Sequence, residues 1–141
     1  MNFINKEYDD LHKVAVNNFN KYVNAKPFPH IVLDNFFNED ILKKIINEFP
    51  NNLDKIGIEN DSDPQKNKFA LSDYSKFGDN TKLFFNFTNS YDFIKFLNNI
   101  SGIKEPLVSD PYFVGGGLHE LRNSGHLNIH SDFNKHQVIG L

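Results

Sequence analysis

The chain has 141 residues, of which 39% are hydrophobic and 23% charged, and it carries a net charge of −3. That length suits one domain, and the mild acidity argues against a non-specific binder of nucleic acid or another polyanion. Without cysteine there is neither a disulfide framework nor a thiolate metal site. Residues 1–10 lack the basic start and apolar run of a signal peptide, and no stretch has the length and apolarity of a bilayer span, so a cytoplasmic location is expected.

Residues 3–24 repeat Phe3, Leu11, Val14, Ala15, Phe19, Tyr22 and Val23 at roughly helical spacing, which predicts an amphipathic helix ended by Lys26-Pro27-Phe28-Pro29. His30-Ile31-Val32-Leu33 reads as a short strand. Asn38 is placed to cap a helix over 39–49, whose apolar face carries Ile41, Leu42, Ile45, Ile46 and Phe49 before Pro50 closes it. Residues 51–80 are polar and irregular, with 60–64 as the clearest loop, and a loop of that length suits a lid or binding segment. Helical periodicity returns at 79–88 and again at 91–100, with Ser90 as N-cap and Gly102 as C-terminal stop. Phe84, Phe85, Phe87, Phe93 and Phe96 fall at helical spacing and read as core.

From residue 107 the pattern changes to short strands at 107–108, 112–114, 118–122 and 126–133. Their breakers are Asp110-Pro111, Gly115-Gly116-Gly117 and Asn123-Ser124-Gly125. The glycine triplet reads as a tight turn or bulge and not as a phosphate cradle, because a strand follows it. Helices first and strands afterwards predict an α+β chain, a single domain over 1–141 with a helical layer at 1–106 and a sheet starting at 107–141.

The strand region carries the chemistry. In His126-Leu127-Asn128-Ile129-His130-Ser131-Asp132-Phe133 the even positions are polar, and side chains two apart on a strand share a face. Leu127, Ile129 and Phe133 are expected to pack into a core, with His126, Asn128, His130 and Asp132 on the opposite face. His130 and Asp132 can then converge on one ion. A His-x-Asp pair with one further His is the facial triad of non-haem Fe(II) sites. The same spacing also fits a solvent-facing strand edge with no function, and on spacing alone both readings stand.

Context adds a resemblance. The segment Pro27-Phe28-Pro29-His30-Ile31-Val32-Leu33-Asp34-Asn35-Phe36-Phe37, then Glu48-Phe49-Pro50, Asp110-Pro111, Gly115-Gly116-Gly117-Leu118-His119-Glu120 and finally His130-Ser131-Asp132-Phe133-Asn134 follow in that order. This succession resembles the prolyl-4-hydroxylase-like branch of the 2-oxoglutarate- and Fe(II)-dependent dioxygenases, from about Pro27 to the last residue. The resemblance implies helices packed on an incomplete double-stranded β-helix (jelly-roll) core. It implies Fe(II) held by His130, Asp132 and a third ligand expected beyond Leu141. It also implies 2-oxoglutarate as cosubstrate, with ascorbate as a further candidate cofactor.

The implied reaction is hydroxylation of an unactivated C–H bond coupled to decarboxylation of 2-oxoglutarate to succinate and carbon dioxide. A carboxylate at 132 favours oxygen transfer over halogenation in that family. Two features differ from it: no later His and Lys or Arg can be matched, and Leu121 stands where well-studied prolyl hydroxylases have a Tyr nine positions before the first ligand.

Four other side chains are candidates for supporting the ion or holding substrate: His119, Arg122, Asn134 and His136. Glu120 joins His119 as a partner for a ligand. Arg122, the only arginine, could reach a substrate carboxylate, and His136 could complete a local site with His130 and Asp132. The substrate expected is a small molecule or peptide, with no nucleic acid and no membrane involved. The alternative is a catalytically silent fragment or interaction module whose sheet is completed by a partner chain.

Overall fold

The computed structural model describes residues 2–62, 65–113 and 116–129. Among them are five α-helices, α1 (Leu11–Val23), α2 (Glu39–Glu48), α3 (Leu53–Ile56), α4 (Asp79–Thr88) and α5 (Tyr91–Ser101). Three strands, β1 (Ile58–Ser62), β2 (Gln65–Leu71) and β3 (Leu118–Leu127), form one antiparallel sheet in the order β1-β2-β3. The chain is therefore α+β, as expected, but two of its three described strands lie between α3 and α4, within the stretch expected to be a helical layer. It divides into two compact units, one from residues 1–49 and 73–115 and the other from 50–72 and 116–141.

The first unit holds α1, α2, α4 and α5. Asp10 starts α1 by accepting the Lys13 N–H at 2.9 Å, so the helix begins later than residue 3, and a 3₁₀ turn at Lys6–Tyr8 precedes it. Asn38 caps α2 through the N–H groups of Asp40 and Ile41, and Ser90 caps α5 through that of Phe93. Gly102 ends α5 in the left-handed conformation. The core gathers Ile4, Val14, Ala15, Phe36, Phe93, Phe96 and Ile100. Its rings interlock: Phe36 stacks on Phe96 at 5.7 Å, Phe3 on Phe87 at 4.8 Å, and Phe37 meets Phe84 edge-on at 5.1 Å. Each such pair adds about 0.5–1.5 kcal/mol beyond its buried area. The helical spacing of these phenylalanines was thus a core signal.

Residues 30–33 form no strand. The backbone around them is held by side chains instead, with the Tyr8 hydroxyl donating to the Asp34 carbonyl at 2.9 Å and the Asn5 amide donating to the Asn35 and Phe37 carbonyls. A single antiparallel bridge joins Ile4 to Phe37. Residues 107–108 and 112–113 are not strands either. Asparagine side chains take up the local donors: Leu107 N–H gives to Asn98 Oδ1 at 3.3 Å and Asp110 N–H to Asn89 Oδ1 at 2.8 Å.

One carboxylate ties α2 to α4. Glu48, the last residue of α2, accepts the Asn80 N–H at 3.0 Å, the Thr81 N–H at 2.9 Å, the Thr81 hydroxyl at 3.0 Å and the Asn80 side-chain amide. These donors stand at the start of α4, where N–H groups lack intrahelical acceptors and the helix dipole favours negative charge. Thr81 is fully buried. Gly78 lets the carboxylate in, since a Cβ there would lie 2.7 Å from Glu48 Cβ and closer still to its carboxyl group. Burial works to raise the Glu48 pKa, but the hydrogen bonds from Asn80 and Thr81 outweigh it and hold the group below its ordinary value of 4.5.

The second unit corrects the long polar loop expected over 51–80. That stretch contains α3, the hairpin of β1 and β2, and a 3₁₀ turn at Tyr74–Lys76. Ladder pairing stabilises the polar strands, and Phe69 and Leu71 supply the buried apolar side chains that alternate with half-buried Lys68 and Ala70. Leu53 is fully buried, and Leu118 is buried beside Leu71, its ladder partner. Gly117, at φ 148°, crosses close to β2, where a Cβ would meet the Leu71 carbonyl at 2.6 Å. Gly116 and Gly117 lead into β3, the strand their sequence setting implied.

Glu48→Ala is expected to cost about 1–2 kcal/mol, the range for a lost helix cap, read from urea denaturation. A depressed carboxyl pKa gives stability that is full above 4.5 and lost as pH falls through the folded-state value. The wild type should therefore lose stability on acidification more steeply than Glu48→Ala. Parallel profiles would contradict the capping role.

Candidate functional site

His130, Asp132, Asn134 and His136 lie outside the described residues, as do Phe133 and the strand expected beyond 129. Among the described residues no group of three or more His, Asp or Glu side chains is placed to hold a metal ion. What is described is the strand that leads to the His-x-Asp pair. The two strands expected at 118–122 and from 126 are one, β3, and Asn123-Ser124-Gly125 interrupts its pairing without ending it.

The register explains how. Lys66 pairs with His126 and Lys68 with Leu121, so a step of two residues on β2 faces a step of five on β3. The odd excess of three residues on β3 is a bulge, and Ser124 within it and Asn67 opposite take positive φ values of 67° and 49°. In a flat strand, residues seven apart lie on opposite faces. The odd excess reverses that, and puts His126 on the same face as His119 and Leu121. Leu127 falls on the other face with Leu118, through its pairing with Gln65 in step with Phe69 and Leu71. The faces are those the alternation assigned, but the burial is not. Leu127 and Ile129 are exposed, because no described element covers that end of the sheet.

His119 is exposed on its face of the sheet, yet what desolvation its imidazole meets, and then the positive charge of Lys68, push its pKa below the ordinary 6.5. Such a histidine is neutral at neutral pH and able to accept or donate one hydrogen bond. Arg122 belongs to the opposite face. Its Nε donates to Glu120 Oε1 at 2.9 Å, a terminal nitrogen donates to Asp54 Oδ1 at 3.0 Å, and its guanidinium lies 4.6 Å from the Phe69 ring centroid. This arrangement ties α3 to the sheet. Sequence reading singled out Arg122 and Glu120 but missed Asp54 and Phe69. Both lie in the segment taken for a loop, and the alternation of Lys68 and Ala70 with Phe69 and Leu71 was the signal available. The structure does not bring His119 and Arg122 together, since they occupy opposite faces of β3.

Among the described residues no helix is long and apolar enough to cross a membrane. Comparison with known proteins finds no matching family model, no matching curated protein and no matching solved structure.

His119 titrates below 6.5 in the folded chain and at about 6.5 when unfolded. Its contribution to stability is thus complete above 6.5 and is lost as pH falls through that value toward the folded-state pKa. NMR titration of the His119 ring should give a value below 6.5, and His119→Gln should flatten the stability profile in this range. A ring that titrates at or above 6.5 would overturn the assignment. Arg122→Lys keeps the charge but loses the planar fork. Faster amide exchange is expected in α3 while α1 and α5 keep their protection.

Proposed function

We propose that the chain carries the His-x-Asp half of an Fe(II)- and 2-oxoglutarate-dependent oxygenase site, with His130 and Asp132 as metal ligands on a jelly-roll sheet of which β1–β3 form part. The observation that carries this reading is the ordered set of motifs ending in His130-Ser131-Asp132, which follow in sequence an antiparallel strand that ends at Leu127. Support comes from the bulge in β3, which keeps the polar face of His126 continuous with that of His119. Donor chemistry supports it too, since an imidazole and a carboxylate two residues apart suit a borderline divalent ion and leave room for other ligands.

Within this reading His130 gives a ring-nitrogen lone pair, and Asp132 gives an oxygen and one negative charge that offsets the ion. Bound iron with 2-oxoglutarate would supply the oxidising power for hydroxylating an unactivated C–H bond. The protein's own part is to fix these two donors on one face and to keep the opposite, apolar face as its support. His119 is proposed as an outer partner that orients a ligand, being neutral and on the same face as His126. The substrate class is a small molecule or peptide in the cytoplasm.

A second reading, a silent interaction module completed by another chain, is favoured by the position of β3 at the outer edge of the described sheet. Anaerobic titration of the whole chain separates the two. Saturable Fe(II) binding and a visible absorption band that appears only with 2-oxoglutarate are expected for the oxygenase. His130→Ala and Asp132→Ala should each weaken iron binding by more than the roughly 10–100-fold typical of an outer partner. Absence of both signals, with a partner chain co-purifying, would establish the module instead.

A further inference from the structure

The first unit contains a cleft of about 430 Å³ lined by Tyr74, Asn86, Asn89, Ser109, Pro111 and Phe113. That volume falls within the range of small-ligand pockets, roughly 300–1,000 Å³. Its lining is uncharged but polar, and one wall is aromatic: the Tyr74 and Phe113 rings lie parallel, 5.8 Å apart and within 6°. The Tyr74 hydroxyl accepts a hydrogen bond from the Asn86 amide at 2.9 Å, which leaves the phenolic proton to donate and the Asn86 carbonyl oxygen to accept. Ser109 adds a hydroxyl that can do either. Asn89 is committed to structure, holding the Asp110 N–H and the Phe85 carbonyl, and so fixes the loop that forms the far wall.

A second observation bears on the same place. Phe113 has φ 52°, in the left-handed region that a side-chain-bearing residue rarely adopts. Packing enforces it, since the buried Phe113 ring meets Phe85 edge-on at 5.0 Å and Phe77 at 5.8 Å. Backbone strain of this kind persists where the surroundings over-determine it, and it gathers at binding sites. Here the strain places the Phe113 ring against Tyr74 in the wall of the cleft. Tyr112, the residue before Phe113, and Tyr91, two residues after Asn89, are both exposed.

We propose that this cleft binds a neutral polyhydroxylated ligand, a sugar ring. Its hydroxyls would exchange hydrogen bonds with Tyr74, Asn86 and Ser109, and its ring would lie along the edge of the Tyr74–Phe113 pair, whose faces are turned to each other. No lining side chain carries a charge to pair with an anion, a metal ion or an ammonium group; Lys82 Nζ, 5.8 Å from the Tyr74 ring centroid, is not itself part of the lining. Convergent hydroxyl and amide groups, in turn, would be left unsatisfied by a purely apolar ligand. The site is independent of the metal reading.

The test is NMR of the ¹⁵N-labelled whole chain titrated with glucose, N-acetylglucosamine and maltose, with adenosine and phenol as comparators. At least one sugar should shift the Asn86 side-chain amide saturably. Ser109→Ala and Asn86→Ala, both at exposed positions, should each weaken that binding roughly five- to tenfold, as expected for one net hydrogen bond. The proposal is overturned if no sugar moves these resonances, if the shifts map outside the cleft, or if adenosine or phenol binds there and the sugars do not.

Discussion

Glu48 is the constraint on which the helical unit depends. The chain leaves that unit after Phe49 and returns at Asp73, and the Glu48 carboxylate joins the two points by bonding to Asn80 and Thr81 across sequence gaps of 32 and 33 residues. Closing a flexible loop of that length costs about 3 kcal/mol in chain entropy before any constant term. Charge-assisted bonds to helix N–H groups are among the stronger contacts available to offset it. The geometry leaves little slack, because Gly78 is the only residue type that fits against the acid and Thr81 is shut away from water. α2 and α4 therefore stay joined while the intervening residues build a separate unit.

That second unit solves a different problem with polar material. Its strands β1 and β2 carry few large apolar side chains, so ladder hydrogen bonds and a handful of buried residues, Leu53, Phe69, Leu71 and Leu118, hold it together. Arg122 adds a charged clamp between α3 and the sheet. The bulge in β3 is the feature with functional reach. Its odd excess allows His126 to share a face with His119, which simple counting along the strand would forbid.

Helices were legible in the sequence because capping and periodicity agree there: Asn38, Ser90 and Gly102 sit where the helix ends lie, and the phenylalanines of α4 and α5 repeat at the right interval. The hairpin was not, because Asn, Asp, Lys and Ser dominate residues 59–68 and resemble a loop until the pairing is known. The false strands at 30–33 and 107–113 share one cause. β-branched and aromatic residues are placed there, but neither stretch pairs in a ladder; tyrosine and asparagine side chains bond the backbone just after the first, at Asp34 and Asn35, and within the second, at Leu107 and Asp110. Of the candidate site, the sequence identified the strand that leads toward it as far as Leu127, while His130 and Asp132 lie outside the described residues. It could not reveal the bulge, since Asn123-Ser124-Gly125 serves equally well as a turn.

The central claim is that His130 and Asp132 share one divalent ion on the face that His126 begins. Paramagnetic Mn(II), added at substoichiometric levels to the labelled chain with 2-oxoglutarate present, broadens resonances according to their distance from the ion. The account predicts that the His130 and Asp132 signals vanish first, that His126 and His119 follow more weakly, and that Arg122 stays sharp. Broadening centred on any other group of residues, or uniform broadening with no centre, would contradict it.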